Sequence, residues 1–562
     1  MPPFWLLRRP TGVQTRMINF MVQKNTLTPP PAHQSLWTIT LFPILIVAFF
    51  MLARYMLGYA PSWYVGRDAL CGLGISLIVL RLFHTRGLLV YLSLWLILAL
   101  GYGVVGLSYG EPDANAIAAL INTNPQEAGE YLSLLPDSVP RFYTALIVLS
   151  GLIFWHSRRC RWEAYRTKRW VVAGIVLIFA ITGASVIRST IKGTLGLTTF
   201  RINEVVLYKD VSRAWQAAKT MDPSKTIFNR TPSWKFHMSS DGAMCDTCVL
   251  VMGESVRRDF MGAYGAPWNN TPWMSAAQGR LWTNFHAASF ATVPSLSEEL
   301  YAPHGVEAPE YANNVITLAS MAGYETGWIS NQHRRGGDDS PVSMVASYAD
   351  YIYFTEDDPT ALSSDEALIE PLKTRLKADG KKRFIVVHLW GSHPTACNRT
   401  GGEYTEYFES KEMSCYIESL RRTDRLVARI EELVRTQSKG AWSLIYTADH
   451  GLGIKNTRDG WAPKHTHDVA DAFEPPLIMT GTAVSRRENV TAERSGRYFS
   501  LFLAQWLGIV PEGVRAPACD WLGNSACEDQ QNVKTGNGEW VPISSLPHLS
   551  LEEFREKHHT KE

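Results

Sequence analysis

The sequence predicts two parts: an N-terminal bundle of about five transmembrane helices, then an α/β domain built on a mainly parallel sheet. Three observations carry this. Long uncharged runs crowd the first 190 residues, short apolar runs alternate with helical patterns after residue 240, and six of the eight cysteines fall in the second part. A chain of 562 residues has room for several domains. The divisions predicted are a transmembrane domain over 1–190, a connector over 191–240, a folded outer domain over 241–530 and a polar, mobile tail over 531–562. The net charge of +2 gives no reason to expect a nucleic-acid partner.

The membrane half comes first. Residues 36–53, 87–109 and 170–187 hold 18, 23 and 18 residues without a charge, each long enough to span a bilayer. The run 142–157 is slightly short, and 69–80 is the weakest, since Arg67 and Asp68 sit just before it. The first apolar run starts at Leu36, too late for a cleavable signal. Arg8, Arg9, Arg16 and Lys24 precede the first run, Arg81 and Arg86 follow the second, and six basic residues lie between 158 and 169. The 108–140 loop has no Lys or Arg and five acidic residues. Basic loops stay cytoplasmic, so five crossings put the N-terminus inside and everything after about residue 188 outside.

The cysteines agree with that topology. Cys71 and Cys160 fall in the membrane half, whereas Cys245, Cys248, Cys397, Cys415, Cys519 and Cys527 all follow it. An even set on the exported side points to three disulfides. Sequential pairing, Cys245–Cys248, Cys397–Cys415 and Cys519–Cys527, is one of 15 connectivities, and a redox pair or half a zinc site is the rival for Cys245-x-x-Cys248. In the connector, 201–220 reads as an amphipathic helix, with Val205, Val206, Trp215 and Ala218 set against Lys209, Arg213 and Lys219. It either lies on the membrane surface or packs on the outer domain.

In the outer domain the runs 249–253, 325–330, 383–393, 442–451 and 475–481 read as strands, with helical stretches such as 365–378 and 413–437 between them. Such alternation argues for a sheet covered by helices on both faces, with ligands at the carboxyl ends of its strands. Four runs end in potential ligands: Glu254, Asn331, His393 and the pair Asp449–His450. Oxygen and nitrogen donors of this kind suit a divalent cation, zinc in particular. His388 reads as sheet core, and Arg257, Arg258 and Asp259 as a surface cluster without catalytic duty.

The segments "VMGESVRRDFMGAYG", "TNFHAASFATVPSL", "VVHLWGSHP" and "YTADHG", in that order after the apolar runs, resemble the phosphoethanolamine transferases of Gram-negative envelopes, members of the alkaline phosphatase/sulfatase superfamily. The resemblance implies an alkaline-phosphatase-like periplasmic domain anchored in the bacterial inner membrane. It implies one zinc site, or two, with Glu254, Thr292, Asp449 and His450 as ligands and Thr292 as nucleophile. The stretch "HAASFATVPS" also offers Ser289 and Ser295. Thr292 is preferred, with Ser289 as runner-up, because it lies 38 residues after Glu254 and directly before a helix start. His393 matches a histidine that binds phosphate or a second metal. A further histidine is expected after the Asp-His pair, and His465 and His467 both qualify; on one strand they would face the same way. Asn331 resembles a substrate-contacting position.

The same resemblance implies phosphatidylethanolamine as donor, and lipid A, a core oligosaccharide or a periplasmic glucan as acceptor. The surroundings of Thr292 depart from the cysteine-containing version common among lipid A modifiers, and the "GESVRRDFMGAYG" version and "TVPSL" context resemble the glucan- or core-modifying branch more closely. A phosphoglycerol transferase using phosphatidylglycerol, or another phospho- or sulfo-hydrolase on the same scaffold, is the alternative, although the C/S-x-P-x-R context of sulfatases is missing. A binding module without catalysis would leave this ligand set dispensable.

Overall fold

The computed structural model describes residues 36–59, 63–109, 138–159, 162–191, 202–220 and 231–555, with a few single residues between 110 and 137. The last range has short gaps at 305–309, 333–340, 358–363, 377–378, 458–459, 529–530, 537 and 552. The basic residues before Leu36, most of the acidic 108–140 loop and Cys160 lie outside the described residues.

The apolar runs are helical: α1 (Leu36–Met56), α2 (Trp63–Tyr109), α3 (Ser138–Arg159) and α4 (Lys168–Ile191). The runs 69–80 and 87–109 share α2, whose backbone leaves the helical region at His84 (φ 59°, ψ −175°). Among the described residues, Gly66–Leu107 and Val139–Arg159 are long and apolar enough to cross a membrane by length and composition, and Leu41–Met56 is a shorter apolar helix. The charges that interrupt the second run are neutralised in place. Asp68 pairs with Arg54 at 3.2 Å and with Arg67 at 3.1 Å, and Arg54 and Asp68 are buried. Pairing of this kind is what allows charge among apolar helices. The outward faces carry exposed apolar side chains such as Ile44, Ile97 and Phe179.

The connector helix, α5 (Asn203–Thr220), packs on these helices. Asn203 Nδ2 donates to the Asp68 carbonyl at 2.9 Å, Trp95 Nε1 to Glu204 at 3.2 Å and Tyr59 Oη to Asp210 at 2.8 Å. The docked face therefore contains Val206 and Ala214, while Trp215, expected on the apolar face, is exposed. These contacts and the Tyr91–Glu204 hydrogen bond anchor that face of the helix.

The α/β domain is organised by an eight-stranded sheet: β1 (Thr247–Gly253), β2 (Gly279–Trp282), β3 (Glu325–Ser330), β4 (Tyr351–Phe354), β5 (Arg383–His388), β6 (Trp442–Ala448), β7 (Leu477–Gly481) and β8 (Glu488–Val490). Their spatial order is β8-β2-β7-β6-β1-β5-β3-β4. β7 alone runs against its neighbours; the other pairings are parallel. Parallel strands buried on both faces read as continuous apolar runs, and β1 is buried along its whole length. Leu250 and Met252 enter the core shared with Val386, Phe502 and Trp506. Val249 and Val251 enter the opposite core with Ile385, Leu420 and Val427. That second face is covered by α7 (Lys411–Gln437), and the short α6 (Thr292–Glu299) stands at the carboxyl end of the sheet.

The three disulfides pair sequentially: Cys245–Cys248, Cys397–Cys415 and Cys519–Cys527. Over its described part, as far as Arg555, the tail differs from expectation, and residues 556–562 lie outside the described residues. Asn532–Lys534 pairs antiparallel with Trp540–Pro542, and Val533, Ile543, Leu551 and Phe554 are buried. Leu549 N donates to Asp471 at 2.6 Å and Leu551 N to Asp259 at 2.9 Å. A few apolar anchors spaced through a polar segment hold it to the domain, although its average composition reads as solvated.

Candidate active site

Four neighbouring strands end at one level. In the β1 register Met252 faces His388 of β5 and Gly253 faces Ala448 of β6; Ser330 of β3 faces His388 from the other side. The chain therefore leaves the sheet at Glu254, Asn331, Leu389 and Asp449 side by side. Ser255 turns the chain sharply with φ 59°, a left-handed conformation costly for a residue with a side chain. Three hydrogen bonds hold it there. Its N–H donates to Asp449 Oδ1 at 3.0 Å, its Oγ to Glu254 Oε1 at 2.7 Å, and its carbonyl accepts from Tyr416 Oη at 2.9 Å. The same Tyr416 Oη accepts from Arg257 N at 2.9 Å.

Thr292 opens α6, behind an Ala291 cap that offers no side-chain acceptor to the first turn. Its Oγ1 lies 3.1 Å from each oxygen of the fully buried Glu254 carboxylate. The other two hydroxyls of this stretch turn elsewhere. Ser289 is buried and donates to the Lys534 carbonyl at 2.8 Å. Ser295 Oγ donates to the Asp449 carbonyl at 2.7 Å and so ties α6 to the end of β6.

Glu254, Asp449 and His450 form one grouping with ligand atoms within 4.8 Å of one another. Asp449 Oδ2 and His450 Nε2 are buried without a hydrogen-bond partner among the described residues, and face each other at 3.4 Å; His450 Nε2 lies 3.5 Å from Glu254 Oε1. Buried polar atoms left open toward a common point, with carboxylate oxygens and an imidazole nitrogen as donors, fit a zinc ion. The electrostatics agree. Burial and then the Glu254 charge push the Asp449 carboxyl up to about 8. Burial opposes a charge on His450, but Asp449 and Glu254 outweigh it and raise His450 to about 9. Burial would also raise Glu254, yet His450 and His393 hold it well below the usual carboxylate range.

A second grouping shares Glu254 and adds His393 and His465. The His465 ring stands 5.0 Å from His450 and 5.5 Å from His393, centroid to centroid. His467 leaves this line and packs on Phe290 at 5.3 Å. The two histidines diverge because the strand before them ends at Lys464, so the alternation expected of a His-x-His strand does not apply.

Asn331 is placed at the strand end, but its amide is engaged sideways: Nδ2 donates to Asp365 at 2.8 Å and Oδ1 accepts from Thr355 at 2.7 Å. The next residue, Gln332, reaches the site and donates to Glu254 Oε2 at 2.8 Å. The sequence signal was there, one position along. His388 is sheet core, as expected. Arg257, expected at the surface, is buried and bridges Asp259 at 2.6 Å, Asp471 at 3.1 Å and the Leu549 carbonyl at 2.9 Å. Asp471 and the C-terminal segment, which help to bury it, lie far away in sequence.

Comparison with known proteins gives the fold and the site a family. Residues 246–509 match the sulfatase family model. The chain is 30% identical over 423 residues to phosphoethanolamine transferase OpgE of Escherichia coli strain K12, covering 72% of this chain and 76% of that protein. It is 24% identical over 448 residues to phosphoethanolamine transferase EptC of Escherichia coli O18:K1:H7, covering 72% and 75%. Among solved structures, the integral membrane lipooligosaccharide phosphoethanolamine transferase A of Neisseria meningitidis superposes with a TM-score of 0.56 at 13% identity, over 84% of this chain and 96% of that one. The zinc complex of the C-terminal periplasmic domain of Escherichia coli EptC superposes with a TM-score of 0.50 at 19% identity, over 57% and 98%. At these identities the structures speak to the fold, while the sequence match to OpgE carries the kinship: the chain belongs to the phosphoethanolamine transferase family.

Proposed function

We propose that this chain is a zinc-dependent inner-membrane transferase that moves phosphoethanolamine from phosphatidylethanolamine to an envelope glycan or lipopolysaccharide acceptor, through a covalent intermediate on Thr292. The observation that carries this reading is the Thr292 hydroxyl, 3.1 Å from both oxygens of a buried Glu254 and beside the open donor atoms of Asp449 and His450. Glu254, Thr292, Asp449 and His450 would hold a zinc ion, which would make the Thr292 hydroxyl a better nucleophile and offset charge on phosphoryl oxygens. In the first half-reaction the bond from Thr292 Oγ1 to phosphorus forms and the bond from phosphorus to the diacylglycerol oxygen breaks. The proton lost by Thr292 ends on that departing alcohol. In the second, an acceptor hydroxyl takes the phosphoethanolamine and the Thr292 hydroxyl is restored. The first-turn N–H groups of α6 have no intrahelical acceptor and favour an anion at Thr292. His393 and His465, beside Glu254, are placed to bind phosphate or a second ion.

The membrane placement belongs to the same reading. At 1.5 Å per residue a straight helix of 47 residues would run for about 70 Å, roughly twice the ~30 Å hydrocarbon core. The break at His84 makes two crossings of α2, and with α1, α3 and α4 the crossings number five. The N-terminus is then cytoplasmic and the α/β domain periplasmic, where its three disulfides are stable.

The test incubates purified full-length protein, loaded with zinc, with phosphatidylethanolamine and no acceptor, then maps modified peptides by mass spectrometry. A phosphoethanolamine adduct on Thr292, absent from Thr292→Ala, is expected. An adduct formed only from phosphatidylglycerol reassigns the chain to the phosphoglycerol transferases, and full turnover by Thr292→Ala overturns the nucleophile.

A further inference from the structure

Glu254 is held from two sides. Ser255 and Thr292 approach it along the chain turn and from α6, whereas Gln332 reaches across from the end of β3. The Gln332 amide is fixed by its own bonds. One amide hydrogen goes to Glu254 Oε2 at 2.8 Å and the other to the Leu389 carbonyl at 2.9 Å. Its backbone N–H donates to Ser330 Oγ at 3.0 Å. Gln332 thus ties the ends of β3, β5 and β1 together at the carboxylate.

The two donors to Oε2 differ in kind. Thr292 donates a proton that the proposed transfer removes, and a modified Thr292 has none to give. Gln332 donates an amide hydrogen that no step consumes. In every state in which Thr292 is ionised or esterified, Gln332 still donates to Oε2. A carboxylate with one oxygen tethered keeps a single orientation toward its other partners, and outer partners of this sort commonly govern metal affinity about 10- to 100-fold.

We infer that Gln332 is a positioning residue for Glu254: it holds the carboxylate in its ligating orientation after the Thr292 hydroxyl ceases to do so. This rests on the zinc-site reading above. It assigns to Gln332 a role in ion retention and in the lifetime of the Thr292 adduct, with no contact to the reacting atoms.

The experiment uses full-length protein in detergent, with Gln332→Met, which keeps length and packing but removes both donors. Zinc affinity is read by chelator competition, the visible spectrum is read after cobalt(II) substitution, and melting is read without metal. The expected result is a 10- to 100-fold weaker zinc affinity and an altered cobalt spectrum, with the metal-free melting temperature within about 2 °C of the parent. Zinc affinity within twofold and an unchanged cobalt spectrum overturn the assignment. Should Gln332→Met fail to fold, Gln332→Asn, whose amide falls one methylene short, carries the same expectation. Asp449→Asn separates the two readings. If the parent binds zinc and Asp449→Asn does not, the site stands and Gln332 is judged alone; if the parent binds no zinc, the site reading fails and this one with it.

Discussion

A methyl group on Gly391 would meet the Glu254 nitrogen at 2.9 Å, its carbonyl oxygen at 3.1 Å and its Cβ at 3.2 Å. Gly391 also has φ 54°, where a side chain is strained. The glycine of "WGSH" therefore clears space for the backbone of the proposed ligand on the adjacent strand. Gly391→Ala is expected to cost about 1–3 kcal/mol and to displace Glu254. Metal analysis should find less than half the zinc of the parent, and adduct formation should fall at least tenfold; full zinc occupancy would show that the loop yields without moving Glu254. Arg257 makes the complementary case. Truncating one member of a buried ion pair costs about 3–5 kcal/mol, because the partner is left charged and buried. Arg257→Ala should lose that much in urea unfolding, and a loss under about 1 kcal/mol would show that water takes the place of the guanidinium.

At the scale of elements, α6 shows how a short helix is anchored beneath a site. Glu299, in its last turn, is buried, accepts from Ala288 N at 2.9 Å and lies 3.0 Å from Ser295 Oγ. Burial pushes its carboxyl up to about 8, against an ordinary value near 4.5. The folded chain then holds a proton that the unfolded chain releases, so stability is lost as pH rises from about 4.5 through about 8. Glu299→Gln, a neutral mimic, should match the parent in melting temperature at pH 5 and exceed it at pH 8.5. Equal differences at the two pH values would show that Glu299 is ionised in the fold. The element positions themselves were legible in the sequence. The runs at 249–253, 325–330, 442–451 and 475–481 all became strands because β-rich apolar segments bounded by turns have few other uses. The reversal of β7 was not legible, since a short buried run carries no mark of its direction.

At the scale of the molecule, the C-terminal segment closes the α/β domain. It buries Val533, Ile543, Leu551 and Phe554, donates from two backbone N–H groups to Asp471 and Asp259, and accepts from Ser289 through the Lys534 carbonyl. Four buried apolar side chains at roughly 1.5–3 kcal/mol each amount to more than 5 kcal/mol of transfer free energy. Deleting the chain after residue 530 is expected to lower the melting temperature of the domain by at least about 10 °C, measured on purified protein with its disulfides intact. An unchanged melting temperature would mean that these contacts contribute nothing net.

What the sequence determined alone was local or periodic. Uncharged runs set the apolar helices, alternating apolar runs set the sheet, and the order of "GES", "TVPSL", "GSH" and "ADHG" set the inventory of the candidate site, because three of these motifs follow a strand end and "TVPSL" opens a helix. Cysteine parity on one side of the chain likewise anticipated three bridges, while their sequential pairing was one of 15 connectivities and was settled by the fold. The tertiary structure decided whatever depends on a partner distant in sequence. It chose His465 over His467 for the imidazole line, Gln332 over Asn331 for the carboxylate, a buried over a surface place for Arg257, and a packed over a mobile tail. A side chain's hydrogen-bond partners are fixed only when strands hundreds of residues apart come into register, and no pattern within one strand records which neighbour will stand beside it.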